Sequence, residues 1–484
     1  MAPLFYFPRW YLNLTTCVNN LHYEKFQDGT VKCIEDEIPF EVPEGWAWCR
    51  LNDIYNFIDY RGATPTKITN GIPLVTAKNV KSGYIDYTID DYISEEEFKE
   101  RQQRGISKKG DILFTTEAPL GNAALADMEK FSAGQRLITF QQYGSKNELI
   151  NYVMLMFILS DFFQQQLYVN KTGSTVAGIK AAILKTLWIP VPPYNEQLRI
   201  SNTLKSAINL IESISKNKEI LSTSISNTKS KILDLAIRGK LVPQDPNDEP
   251  ASVLIERIRA EKEELIKQGK IKRNKRESVI FKGDDNSYYL RTESKAIEIT
   301  NELPYKIPDS WEWAKIGDIL QVNPRNKIED LLEVSFIPMP LIDGGFSGKH
   351  TSEERVWRKV KSGFTHFMEG DIGIAKITPC FENRKSVIFK NLKNGYGAGT
   401  TELHILRPYE STILPEYVLA YVKSSMFISK GKQEFTGAVG QQRIGKEYLE
   451  NSYFPIPPLE EQVRIVEQIS TVYKQLNMIS EALV

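Results

Sequence analysis

Eight short polar segments carry side chains whose types and spacing suit chemistry: YRGATPTK (60–67), TAKNVKSG (76–83), AGQR (133–136) and KTGST (171–175), then NPRNK (323–327), SGKHTS (347–352), RKVKSG (358–363) and TGAVGQQR (436–443). Lys and Arg attract phosphate oxygens. Gln, Asn and Arg can make paired bonds to base edges, and glycine lets a backbone approach closely. The candidate contacts in the first half are Arg61, Lys67, Lys78, Asn79, Lys81, Gln135, Arg136, Lys171, Ser174 and Thr175. Those in the second half are Arg325, Lys349, Arg358, Lys359, Lys361, Gln441, Gln442 and Arg443. For any one residue the alternative is an ordinary polar surface loop; the case rests on recurrence of the same loop chemistry. The glycine-led loops at 171–175 and 436–443 could instead only pack against a helix start.

Catalytic signatures do not accompany these loops. The sequence has no G-x-x-x-x-G-K-[ST] phosphate loop and no glycine-rich dinucleotide or AdoMet turn. His22, His350, His366 and His404 are scattered, and Cys17, Cys33, Cys49 and Cys380 form no C-x-x-C pair, so no catalytic dyad, metal site or disulfide framework is implied. VPPY at 191–194 lacks the polar first residue with which amino-methyltransferases hold their target amine; a domain-to-helix junction is the better reading. Lys plus Arg equals Asp plus Glu at 61 each, so any anionic partner must meet a local basic surface rather than a basic total. The start lacks a signal-peptide layout, and the longest apolar run, YVMLMFIL (152–159), is too short to span a bilayer. A reducing cytoplasm is the expected setting.

The elements that must position the loops occur twice. IPVPPYNEQLRI (189–200) returns as FPIPPLEEQVRI (454–465), an offset of 265 residues, and IPFEVPEGWAWCRLNDI (38–54) returns as LPYKIPDSWEWAKIGDI (303–319) at the same offset. KGDI (109–112) and EGDI (369–372) are 260 apart, so the interiors have gained and lost residues. A period this long marks a duplicated domain rather than a solenoid. Between the matching flanks, short β-rich runs alternate with Gly, Asn and Asp before a late helix, an α+β pattern; the middles diverge.

After each proline block the period changes to heptads. The expected seam includes Leu204, Ile211, Ile214, Leu221, Ile225 and Ile232, then Ile469, Val472, Leu476 and Ile479 in the same register. Proline cannot continue a helix, so each block should end a globular domain and launch a long one. Glu196 and Glu461 suit the positive end of its dipole. From Ile200 to Leu235 such a helix spans about 53 Å at ~1.5 Å per residue. The expected organisation is an N-terminal extension (1–37), a first domain (38–190), a long helix (191–240), a charged helical linker (241–302), a second domain (303–455) and a short helix (456–484). The basic run near residue 272 reads as a solvated linker in preference to a direct DNA contact.

GSTVAGIKAAILKTLWIPVPPYNEQLRI, LAIRGKLVPQDPNDEPASVLIERI, IPFEVPEGWAWCRL and FPIPPLEEQVRI together resemble the specificity (S) subunits of type I restriction-modification systems, over nearly the whole chain. The resemblance implies two mixed α/β target-recognition domains separated by long helices that form an antiparallel coiled coil, an internal duplication with pseudo-two-fold symmetry. It implies a non-catalytic subunit that reads a bipartite, asymmetric site in double-stranded DNA. Two methyltransferase (M) subunits and the restriction (R) subunits would be partners, with AdoMet and ATP/Mg used there and no cofactor or membrane contact here. Leu235 has no counterpart 265 residues on, and residues 1–14 match nothing at 266–279, the pattern of a shortened or rearranged allele. The competing class is a coiled-coil scaffold with two domains for ligands other than DNA.

Overall fold

The computed structural model describes residues 14–16, 21–26, 28–62, 64–88, 90–143, 149–173, 177–273, 277–292, 295–410, 412–438 and 440–483. The chain forms two compact units, Met1–Ile214 and Ser215–Val484.

In the first unit the core sheet is antiparallel, in the order Tyr55–Asp59, Leu137–Gln142, Ile112–Thr115, Ala123–Leu125. Helix α1 (Asn151–Ile158) contributes Val153, Met154, Leu155 and Ile158 to the same apolar core as Phe114 and Phe140. A smaller sheet pairs Ile72–Val75 in parallel with Ser132–Ala133. The proline block is itself structural: Trp188–Val191 is a strand paired antiparallel with Ala47–Arg50, and helix α2 (Tyr194–Ala236) follows Pro192-Pro193. The domain is therefore closed by its last strand returning to its first.

The second unit repeats this plan. Its core sheet runs Leu320–Val322, Leu403–Pro408, Ile372–Ala375, Ser386–Ile388, and Tyr453–Ile456 pairs with Glu312–Lys315. Helix α3 (Ala251–Lys267) and helix α4 (Pro415–Val422) pack in its core, and helix α5 (Leu459–Glu481) follows Pro457-Pro458. The divergent middles also share one plan, because Glu333–Ile337 pairs in parallel with Tyr396–Gly399, as Ile72–Val75 does with Ser132–Ala133. Divergence has kept this parallel pair while the sheet around it has three strands in the first unit and four in the second.

The duplication reaches further toward the N-terminus than the flanking motifs indicate. Leu14–Thr16, His22–Lys25 and Val31–Cys33 form a three-stranded antiparallel sheet, as Val279–Lys282, Tyr288–Arg291 and Ala296–Glu298 do. The expected linker at 241–302 is thus corrected. Ala251, Leu254, Ile255 and Ile258 recur at helical spacing and are buried against the second domain's core, and the segment after them makes the sheet. Charge dominates the composition of that segment, but the apolar stripe decides where it goes. Arg273, in the basic run, is held by Glu263.

Two motif residues explain why the repeated blocks keep their wording. Gln197 donates from Nε2 to the Pro192 carbonyl (2.9 Å) and accepts from the Ile150 amide (2.7 Å). Gln462 does the same between Pro457 (3.1 Å) and Leu414 (2.9 Å). Each glutamine satisfies a buried carbonyl at the proline turn and a free amide before α1 or α4, so domain and exit helix are joined by one side chain. Beside it, buried Glu461 accepts from Trp311 Nε1 (2.8 Å) and Gln244 Nε2 (2.6 Å); burial raises its carboxyl above the ordinary value despite those bonds.

The heptad seam divides. In the second unit the end of α2 runs antiparallel to α5: Tyr473 donates to the Lys229 carbonyl (2.9 Å), Lys229 Nζ to Asn477 Oδ1 (2.7 Å), and Leu233 lies with Val466 and Ile469. Ile225 and Ile232 are buried, at 6% and 7% exposure, while Leu204, Ile469, Val472 and Leu476 are half-buried. Ile211 and Ile214 stand at 62% and 58% exposure, and Leu221 and Ile479 are exposed too. These four were expected in a closed core, and the structure corrects that. α5 has 23 residues against 43 in α2, about 35 Å against about 65 Å, so it reaches only the end of the seam.

Candidate nucleic-acid interface

The GDI turns set the strands from which the loops spring. Asp111 Oδ2 accepts from the Lys108 amide (2.8 Å) and from Gln141 Nε2 (2.9 Å). In the second unit Asp371 accepts from the Met368 amide (2.8 Å) and takes two bonds from Arg407, both 2.7 Å. An aspartate three residues after the turn start caps it, and the cross-strand partner ties the turn to the sheet.

In the first unit four candidates come together. Lys67, Lys78, Gln135 and Arg136 line one concave site of about 320 Å³ with Thr64, Pro65 and Thr76. Lys67 is bonded to Asp91 (2.6 Å) and Gln135 to the Thr64 hydroxyl. Arg136 Nε lies 3.0 Å from Glu117, and Lys78 is exposed. Lys81 turns back onto the Lys78 carbonyl (2.8 Å). Arg61 is held by Asp59 (2.7 Å), and Lys171 lies over the Tyr168 ring. Ser174 and Thr175 lie outside the described residues. Asn79 is a correction. It is 3% exposed; its Oδ1 accepts from the Thr76 amide and hydroxyl, and its Nδ2 donates to the Asp86 carbonyl. It closes a turn and offers nothing to a ligand.

In the second unit the candidates are dispersed. Arg325 donates to the Phe364 carbonyl (3.0 Å), and Lys361 is paired with Asp330 (2.8 Å). Arg358 and Lys359 are exposed on one 3-10 turn anchored by buried Trp357, and Lys349 is exposed on its own loop. The 436–443 loop is clasped. Arg443 donates from Nε and Nη2 to the two oxygens of Glu402 (2.9 and 3.0 Å) and from Nη1 to the Gln441 carbonyl (2.7 Å). The Gln442 carbonyl accepts from the Thr378 amide (2.9 Å). The bonds from Arg443 hold the Glu402 carboxyl below its ordinary range. All three nitrogens of the Arg443 guanidinium are thus engaged within the domain.

One cluster was missed from sequence. Lys423, 3% exposed, donates to the carbonyls of Gly345 (2.6 Å) and Arg384 (3.1 Å) with no carboxylate bonded to it among the described residues. Arg384 donates back to the Lys423 carbonyl (2.9 Å), and the Ser425 amide, two residues on, donates to Asp234 of α2 (3.2 Å). The cluster fastens the second domain to the end of α2. The one sequence signal was a lysine inside the apolar run YVLAYVKSSMF. Burial first, then the neighbouring Arg384, lowers the Lys423 ammonium from 10.5 to about 7. A folded-state value below the unfolded one means that the native state holds fewer protons between those pH values. Stability from this group should rise as pH climbs from about 7 toward 10, by up to about 5 kcal/mol at ~1.4 kcal/mol per pH unit. Urea melts of the chain and of Lys423→Met should show that slope only in the parent; parallel pH profiles would contradict it.

No cluster of three or more His, Cys, Asp or Glu among the described residues is placed to hold a metal ion, and no described helix is long and apolar enough to cross a membrane. An α+β domain built twice, each copy feeding a long helix and presenting polar, basic loops, defines a duplicated domain-and-helix architecture. Its family is shown by sequence: residues 43–222 and 308–483 match the type I restriction modification DNA specificity domain, and the chain belongs to that family. It is 49% identical over 243 residues to the type I restriction enzyme EcoAI specificity subunit of Escherichia coli, an alignment covering 50% of this chain and 38% of that one. The chain thus spans well under half of that relative's length. A putative type I restriction enzyme MjaX specificity subunit of Methanocaldococcus jannaschii is 24% identical over 450 residues, 89% of this chain and 88% of its own. Among solved structures, the HsdS subunit from Thermoanaerobacter tengcongensis aligns over 92% of this chain and 93% of its own, with TM-score 0.51 and 15% identity. A chain from a structure of type I R-M complex assembly aligns over 92% and 94%, with TM-score 0.54 and 17% identity. These likenesses concern the fold.

Proposed function

We propose that this chain is the DNA-recognition subunit of a type I restriction-modification complex. Each unit reads one half of a bipartite, asymmetric duplex target, and the chain positions M and R subunits without catalysing a step itself. Methyl transfer from AdoMet and ATP-driven cleavage belong to those partners, in the cytoplasm. The observation that carries this reading is the doubly matched DNA specificity domain, in which the two copies keep the core sheet and junction glutamines while the middles between them diverge. Conserved scaffolding with altered loops is what two readers of different half-sites require. The exposed stripe of Leu210, Ile211, Ile214, Ile220 and Leu221 on α2 is the docking face for M subunits.

The test exchanges residues 55–170 for the matching segment of another S subunit and maps methylated motifs in cells that also carry the M subunit. One half-site should change and the other persist. A change in both half-sites, or the absence of any bipartite motif with the parent chain, overturns the reading.

A further inference from the structure

We propose that Arg136 is the guanine-reading residue of the first domain, with no counterpart in the second; this rests on the DNA-recognition reading above. Arg136 sits at a turn of unusual backbone, φ +63°, a region that residues other than glycine rarely adopt. Buried neighbours hold it there. The amide and hydroxyl of Thr116 both donate to the Arg136 carbonyl (2.9 and 3.2 Å), and the Gly134 amide donates to the Val75 carbonyl (2.7 Å). A Cβ on Gly134 would lie 2.9 Å from the Thr76 methyl. The backbone is thus fixed from below while the Arg136 side chain is left in solvent. An outlier conformation over-determined by its surroundings is the signature of a residue held for a task.

The guanidinium is available for that task. Its charge partner among the described residues is Glu117, 3.0 Å from Nε, and both side chains are about half exposed, at 54% and 44%. Such a surface pair is readily exchanged. The planar fork matches O6 and N7 of guanine, while Lys67 and Lys78 on the same concave site suit the flanking phosphates as point charges. The second unit inverts this chemistry. Glu402 stands immediately before the matching strand Leu403–Pro408, where Arg136 precedes Leu137–Gln142, and Glu402 is closed by the two bonds from Arg443. The same scaffold therefore offers a donor fork in one domain and a neutralised carboxylate in the other.

The test measures binding of the full chain, assembled with its M subunits, to a randomised duplex library across a salt series, for the parent, Arg136→Ala and Arg136→Lys. The parent should select one bipartite site with guanine at a fixed place in one half. Arg136→Ala should lose about 10- to 100-fold on that site and become indifferent at that one base pair, leaving the other half-site unchanged. Arg136→Lys should keep the salt slope and lose the discrimination. Uniform weakening on every duplex with a salt slope lower by about one would make Arg136 a phosphate contact and overturn the assignment. Unchanged selection by both variants would also overturn it. A parent complex with no sequence preference would instead sink the DNA-recognition reading beneath it.

Discussion

An Asp371→Ala chain should lose about 3–5 kcal/mol of second-domain stability, the cost of leaving a buried ion-pair partner without its counter-charge. Asp371 is 1% exposed and receives Arg407 through two bonds, and Arg407 reaches on to Asn326 (3.0 Å). The same aspartate caps the turn before strand Ile372–Ala375, so the substitution also frees the Met368 amide. Arg407→Gln is the instructive comparison, because Gln141 occupies the matching place opposite Asp111 in the first unit. That variant retains a donor for Asp371 and should lose about half as much. Urea denaturation followed by tryptophan fluorescence, with Trp311 and Trp313 in the second unit, reports the change. A loss below about 1 kcal/mol for Asp371→Ala would show that the turn does not depend on the pair.

The seam yields the second large effect, and an asymmetric one. Ile232→Asp places a carboxylate at a buried position, 7% exposed, near the end of α2 and should cost about 3–5 kcal/mol. Ile211→Asp, at a position of equal heptad rank, should change the stability of the isolated chain by no more than about 0.5 kcal/mol, because its side chain is already in water. Its effect should appear on association instead. If the exposed stripe is where M subunits dock, Ile211→Asp should abolish co-purification with M while leaving the melt unchanged. Equal destabilisation by both substitutions would mean that the middle of α2 is covered within the chain after all.

The contrast between Ile211 and Ile232 shows where sequence reading stops. Heptad spacing records that a helix has an apolar face, and α2 is there from Tyr194 to Ala236. It does not record which stretch of that face finds a partner, since that depends on how far α5 extends alongside it. The duplication was legible for the same local reason. Repeated prolines and tryptophans specify a strand that closes each domain and the turn into each helix, and such signals need only neighbours in sequence. The three-stranded sheets escaped notice because strands of three or four residues carry too little pattern, and the pairing that makes them equivalent is a matter of register.

Polar side chains were the least legible. Asn79, Arg136 and Arg443 look alike in their loops, each a good donor beside a glycine or a turn. Tertiary structure separates them, because the groups that engage them lie elsewhere: Asp86 across a turn for Asn79, and Glu402, 41 residues before Arg443. Lys423 is the extreme case, a cation within an apolar run whose acceptors are carbonyls 78 and 39 residues away. Residue type and period thus determined the elements, their duplication and the family. Which donors remain open to a ligand was decided only by folding, because a hydrogen bond or ion pair is made by groups brought together from distant parts of the chain.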